Sequence, residues 1–516
     1  MSGHAELSAD VVVIGAGHNA LICAAYLAKA GLEVVVVEAS ARIGGNTVTE
    51  ELTLPGWRHD SCSSAHALIQ SNPVLRDDEL GLISDYGLSY AYTEPATVFP
   101  LGDGDSVVVH RSVQQTIEEI ARFSSADAQR LAELLEQWGT LKAEHRRWNA
   151  GLEPSEGDAG RAYSALRARS AWDVVTENFS HPVTRHVLSW MGFATFQPPK
   201  RPGTGVLPIS ILNGRIEFGW ATPVGGSGVL PTLLARLVRD HGGEVLTGAP
   251  VAEIQVADGR AVGVLTADGR RIAARQAVVS SAHVLSMGRM LRSAQSAELA
   301  AAAGAWRPGL SLFAVHAALK NDVTYPSQAG VQVRCTAGGL GSPEGILRQL
   351  QGCLVSGRPA LEDPFMLMVS STVVDPQRAP GATFKILTAA PQALADGRSW
   401  DEYGPEYADH LMGLAGRALG GLEPHNVEAV LAETPTSLAQ RNPSNIAGSC
   451  HGGEFELATG EVVPGWRHTT DIPGLFLTGS MSHPGGSVSG WPGRNAAHAV
   501  LRTLRLDPAA VMAVQA

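Results

Sequence analysis

Cysteine is scarce in this chain. Cys23, Cys62, Cys335, Cys353 and Cys450 are odd in number, widely scattered and contain no CxxC pair. That pattern argues against a zinc site and against a redox-disulfide motif, so no metal is expected, and it fits a reducing compartment. Long hydrophobic runs are also missing, since no stretch approaches eighteen consecutive apolar residues, the length a spanning helix needs. Charge is sparse at 17% of residues and tilts acidic, net −11 over 516 residues, with no Lys/Arg-rich tract. A nucleic-acid partner is therefore not expected. The opening residues, MSGHAELSAD, have no signal-peptide anatomy. With 44% hydrophobic residues, the chain is expected to be globular and cytoplasmic, with enough surface to bury the cores of two to four domains. Peripheral membrane contact is compatible with this composition, and the oligomeric state is left open.

What is present begins at residue 10 with DVVVIGAGHNALICAAYLAKAGLEVVVVEASARIGG. Val11, Val12, Val13 and Ile14 are an apolar, β-branched run of the kind buried on both faces of a parallel sheet. Gly15-Ala16-Gly17-His18-Asn19-Ala20 then matches G-x-G-x-x-G/A. Gly15 permits a tight turn, Gly17 lets the backbone approach a pyrophosphate, and the small Ala20 lets the next helix pack closely. A helix over 20–30 ends at Gly31, and Val34 to Val37 form a second strand. Glu38 ends that strand 23 residues after Gly15, where an acidic residue would accept both hydroxyls of an adenosine ribose and repel a 2′-phosphate. Arg42-x-Gly44-Gly45 follows, an Arg able to reach a phosphate beside two glycines that keep the backbone clear.

E-A-x-x-R-x-G-G after such a fingerprint resembles the large flavoprotein group that includes amine oxidases, phytoene desaturases, carotenoid isomerases and flavin-dependent carotenoid ketolases. PGWRHDSCSSAH resembles that group's segment beside the flavin, with Cys62 and His66 at positions like those of the ketolase branch. The resemblance implies an α/β fold, a Rossmann-like FAD-binding domain of the glutathione reductase/amine oxidase type with an inserted α+β substrate domain. It implies noncovalent FAD held by Gly15, Gly17, His18, Asn19, Ala20, Glu38, Ala39, Arg42, Gly44, Gly45 and Asn46.

Between the two ends the pattern changes repeatedly. Residues 112–122, 125–148 and 161–190 have helical spacing, with Ser124 and Asp127 as a cap for the second. The Gly-rich PVGGSG at 223–228 precedes an amphipathic helix, a short strand and a meander with Asp-Gly turns at 258–259 and 268–269. In the resembled family the residue matching Val251 contacts adenine through its backbone. Residues 310–319, 363–374 and 383–389 are expected as strands and 403–419 as a helix. Residues 1–110, 221–305 and 441–516 are thus assigned to a discontinuous FAD-binding domain, and 111–220 and 306–440 to a substrate domain with a helical cover.

Near the C-terminus, GLFLTGSMSHPGGSVSGWPGRNAAHAVL has a strand over 475–478, a Gly-rich loop from His483 to Gly493, and a small-residue helix expected from about Arg494. Free N–H groups and a helix N-terminus aimed at one spot would stabilise negative charge on a reduced flavin. The run resembles H-P-G-G-x-x-S-G-x-P-G-R-N of carotenoid desaturases, isomerases and ketolases, which implies that Gly479, Ser480, Gly490, Trp491 and Pro492 also contact FAD. Ser487 stands where a third Gly is common. Some branches carry a Lys in the strand matching 310–319; here that position is Ala314, with His316 on the same strand face.

The expected activity is removal of a hydride or two electrons from a C–H bond of a small or elongated apolar substrate, with His316 as acid/base candidate and Trp491 as a flavin-facing wall. A second reading is redox-neutral isomerisation by reduced FAD. A third is non-enzymatic lipid carriage of the Rab escort type, against which the intact Glu38, Arg42, Gly44-Gly45 and GRN set speaks. No second nucleotide fingerprint is present, so oxygen or a quinone is the expected electron acceptor.

Overall fold

The computed structural model describes residues 7–512 except 103, 293–294, 328–330 and 454–466. The first six residues, part of the N-terminal stretch without signal-peptide anatomy, lie outside this range. Val11–Ile14 are the buried end of strand Leu7–Ile14. Helix His18–Lys29 and strand Val34–Val37 complete the βαβ unit, with Val11 to Ile14 in parallel register against Val34 to Val37. The strand residues are all buried because one face packs on helix His18–Lys29 and the other on Ile254 and Val264 of a β-hairpin with Val284 and Met287, which is why this stretch is continuously apolar rather than alternating. Glu244–Leu246 extends the sheet beside the second strand, and Arg271–Ser280 lies on the other side of the first. Leu475–Leu477 adds in parallel to the far end of Arg271–Ser280. Val251–Ala257 and Arg260–Thr266 form an antiparallel hairpin on its near end. One Rossmann-like sheet thus collects strands from three distant parts of the chain.

The second seven-stranded sheet is mixed. Its order is Val427–Glu433, Ser311–Leu319, Ala382–Ala390, Met366–Val369, Ala337–Leu340, Thr97–Pro100 and Ser106–Val109. The expected strand at 363–374 is only four residues long, and 371–373 turn into a short 3-10 helix, so the β-branched TVV stretch does not extend it. Helices Val113–Ala121 and Ser125–Asn149 form as their spacing predicts, and the Ser124 hydroxyl accepts from Asp127 N. Asp127 does not return that bond; its carboxylate caps Ser180 and His181 instead. The single helix expected over 161–190 is three: Asp158–Ala168, Ala171–Asn178 and Pro182–Phe193. Ser170 caps the second, and Pro182, which has no N–H to donate, starts the third. Helix Leu207–Phe218 completes the cover.

Candidate active site

A cavity of about 730 Å³ runs from the βαβ unit to the face of the second sheet. At one end it is walled by Gly15, Gly17, His18, Asn19 and Ala20, and by Glu38 and Ala39. Gly15 has φ +93°, and a Cβ there would sit 2.1 Å from Ser281 Oγ, so the turn admits no side chain. Gly17 is different: it has ordinary extended backbone, and a Cβ would meet no protein atom within 4 Å. Glu38 accepts from Ala16 N at 2.6 Å and Ser40 N at 2.8 Å, which holds its carboxylate at the end of the second strand. Val251 completes this end. Along the middle lie Arg42, Gly44, Gly45 and Asn46, where Arg42 pairs with Glu50 and Asn46 Nδ2 donates to Asn445 Oδ1 at 2.7 Å.

At the other end the second sheet presents Leu312, Leu367, Val369, Leu387 and Lys385 to the cavity, opposite Trp220, Ile211, Phe196 and Leu68. Lys385 Nζ donates to Asp60 O at 3.0 Å, Cys62 O at 2.9 Å and Ser64 Oγ at 3.1 Å. Burial pushes its pKa down from the ordinary lysine value. Cys62 and Cys450, 388 residues apart in sequence, both line the wall with their sulfurs 3.6 Å apart. The hydrogen bond to Cys450 draws the Cys62 thiol below its usual range and pushes that of Cys450 up.

His316, expected to line the cavity, does not. It is fully buried: Nε2 bonds Glu433 Oε2 at 2.8 Å, and the His59 ring stacks edge-on with centroids 5.5 Å apart. Glu433 also accepts from Ser61 Oγ and pairs with Arg441 Nε at 2.8 Å. Burial keeps His316 neutral. Burial would raise Glu433, but the hydrogen bond from His316, the charge of Arg441 and the hydrogen bond from Ser61 hold it at about 2. The imidazole is a structural partner of an ionised carboxylate.

The C-terminal expectations divide similarly. Gly479, with φ +95°, and Ser480 line the cavity. Gly490, Trp491 and Pro492 do not. The last helix begins at Trp491, not near Arg494, with Gly490 at φ +72° as its cap. A Cβ on Gly490 would lie 3.0 Å from Ile69 Cδ1, and Pro492 O accepts from Thr478 Oγ1. Trp491 faces an adjoining cavity of about 370 Å³. Ser487 and Val488 reach the main cavity instead. Ser487 holds φ +74°, the conformation that explains why a glycine suits its position. Lys385 was missed because nothing local separates a cavity lysine from a surface one; its place inside a nine-residue apolar strand was the available hint.

A Gly-rich βαβ end open to an extended ligand, joined to an apolar chamber on a mixed sheet, is the arrangement of a flavin-dependent oxidoreductase. Residues 21–344 match the model of the flavin containing amine oxidoreductases, and the chain belongs to that family. A limonene dehydrogenase subunit from Castellaniella defragrans is 27% identical, the alignment covering 96% of this chain and 95% of that one. A lycopene-forming phytoene desaturase of Pseudescherichia vulneris is 25% identical over 93% and 96%. Among solved structures, a triple mutant of putrescine oxidase superposes with a TM-score of 0.67 at 16% identity, covering 97% of this chain and 99% of that one. Among the described residues no helix is long and apolar enough to cross a membrane, and no group of three or more His, Cys, Asp or Glu could hold a metal.

Proposed function

We propose that this chain binds FAD noncovalently and dehydrogenates a largely apolar substrate, passing the electrons on to oxygen or a quinone. The observation that carries this is the continuity of one cavity from Glu38 and Val251 to the Leu312, Leu367 and Leu387 floor. Glu38 suits ribose hydroxyls and Val251 suits adenine, groups that FAD has and FMN lacks. Gly17 leaves room for a pyrophosphate at the N-terminus of the first helix, where the backbone amides favour anions. Asn19, Ala20, Arg42, Gly44, Gly45, Asn46, Gly479 and Ser480 are the other proposed cofactor contacts. Bound FAD would supply the two-electron chemistry that no side chain has. The chain's own part is to exclude water with its leucine floor, hold the chamber walls through Lys385, and orient the C–H bond. Both named relatives are enzymes of apolar hydrocarbons, which supports this substrate class. Membership of an oxidoreductase family speaks against a lipid carrier.

The test is to purify the protein, identify the nucleotide released on denaturation, and add limonene and phytoene anaerobically. FAD release and bleaching of the flavin band by an apolar substrate are expected. Release of FMN, or a protein that cannot be reconstituted with FAD, would overturn the proposal. Replacing Glu38 by Arg should weaken FAD retention by about 1.5 to 3 kcal/mol per lost charge-assisted hydrogen bond.

A further inference from the structure

Arg215, on helix Leu207–Phe218, lines the chamber with only 9% of its surface exposed. Its Nε and Nη1 are buried without a hydrogen-bond partner, and among the described residues its guanidinium forms no ion pair. The guanidinium instead stacks on Trp220, 4.2 Å from the ring centroid. Trp220 is itself 1% exposed, lines the same chamber, and its indole N–H also lacks an acceptor.

The other cations of the cavity wall are satisfied. Arg42 pairs with Glu50, Arg441 with Glu50 and Glu433, and Lys385 donates three hydrogen bonds. Among the described lining residues Glu38 is the one carboxylate, and both its oxygens accept from backbone amides, those of Ala16 and Ser40. Among the described residues none supplies an anion to Arg215. Arginine does not escape by losing its proton at neutral pH, so an unpaired buried guanidinium is a standing penalty unless a ligand relieves it. Its flat fork matches a carboxylate or phosphate through two parallel N–H donors. The adjoining cavity shares Ile211 and Gly214 with this chamber, and its lining carries Arg146, Arg167 and Arg201 together with Glu217, which pairs with Lys142.

We propose that Arg215, with the Trp220 N–H beside it, anchors an oxyanion at one end of the substrate's apolar chain. The substrate class becomes an amphiphile: a hydrocarbon held over the leucine floor and a carboxylate or phosphate held by the guanidinium. This deepens the reading of the chamber as the site of an apolar substrate, and rests on it.

The test uses the purified protein with decanoate, decyl phosphate and the neutral decanamide, measuring Kd by calorimetry and the thermal midpoint with each probe. An ionised probe should bind about tenfold or more tighter than decanamide. In Arg215→Met the amide should bind as before, the preference should vanish, and the ligand-free protein should melt at the same temperature or higher, since an unpartnered charge is removed. Arg215→Lys, which keeps charge but loses the fork, should keep only part of the preference. Which anion binds tighter decides between carboxylate and phosphate. Equal binding of all three probes to the natural protein, or an anion preference that survives in Arg215→Met, overturns the proposal. The released flavin, assayed on the same sample, reports separately on the cofactor.

Discussion

His316 and Lys385 stand directly opposite each other in the ladder between Ser311–Leu319 and Ala382–Ala390, yet only Lys385 reaches the cavity. Residues opposite in an antiparallel pair share a face, so both side chains project from the side of the sheet that carries Leu312, Leu367 and Leu387. The His59 ring and the Glu433 carboxylate cover His316. Lys385 meets the 60–64 segment, and its ammonium holds that wall to the sheet.

Lys385→Met should therefore loosen the chamber wall. Three acceptors lose a charged donor, and breaking such a buried constellation typically removes about 3 kcal/mol. The thermal midpoint should fall and flavin should dissociate faster. By contrast, His316→Gln, which can still donate to Glu433, should leave substrate-driven flavin reduction within about threefold of the natural rate, as the imidazole is outside the cavity. A loss of a hundredfold or more in His316→Gln, with the fold intact, would return His316 to the chemistry.

Two glycines should separate folding from binding. At Gly493 a Cβ would fall 2.3 Å from Asn19 O and 2.9 Å from Ile22 Cβ, where the last helix crosses the first. Gly493→Ala should destabilise the fold by about 1 to 3 kcal/mol through overpacking, with flavin content following the folded fraction. At Gly17 nothing in the protein opposes a side chain. Gly17→Val should stay within about 1 kcal/mol of the natural protein's stability, the size of effect usual where no packing is disturbed, and yet retain little flavin. Urea melts beside flavin absorbance check both.

Thiol reactivity should be ordered. The hydrogen bond to Cys450 lowers the Cys62 thiol, while burial raises Cys335 to about 11, Cys353 to about 12 and Cys23 higher still. The thiolate is the nucleophile, so iodoacetamide at pH 8 should label Cys62 first in peptide mass analysis. Earlier labelling of Cys335 or Cys353 would contradict this.

The protein should weaken in acid. Burial holds His18 and His451 at about 4 and His59 and His66 at about 3, all below the ordinary 6.5. Their contribution is complete above pH 6.5 and is lost as pH falls towards 3 to 4, because the unfolded chain takes up protons that the folded one refuses. Glu433, held at about 2, adds a contribution present above about 4.5 and lost from there downward. The urea midpoint should decline steadily from pH 7 to 4.5, and His66→Gln should make that decline shallower. A midpoint flat over this range would refute the assignment of these imidazoles as neutral.

The βαβ end of the cavity was legible because its information is local. Val11 to Ile14, the 15–20 turn, Val34 to Val37 and Glu38 lie within one short unit whose spacing specifies strand, turn, helix and strand in order. The meander with turns at Asp258-Gly259 and Asp268-Gly269 was legible for the same reason. At His316 the alternation along the strand revealed the face but not what lies over it, and at Trp491 the resemblance carried a contact that helix packing turned elsewhere.

The sequence by itself determined the Rossmann-like unit and the strand face that carries His316, since each follows from periodicity or from residues within one short unit, and its terminal motifs carried the family resemblance. Only the tertiary structure decided the chamber. Its walls come from stretches of the chain between residues 62 and 450, so which of two opposed residues reaches the cavity, and that Arg215 finds no carboxylate among the described residues, depend on long-range packing. Burial and pairing are properties of neighbours that no local spacing specifies.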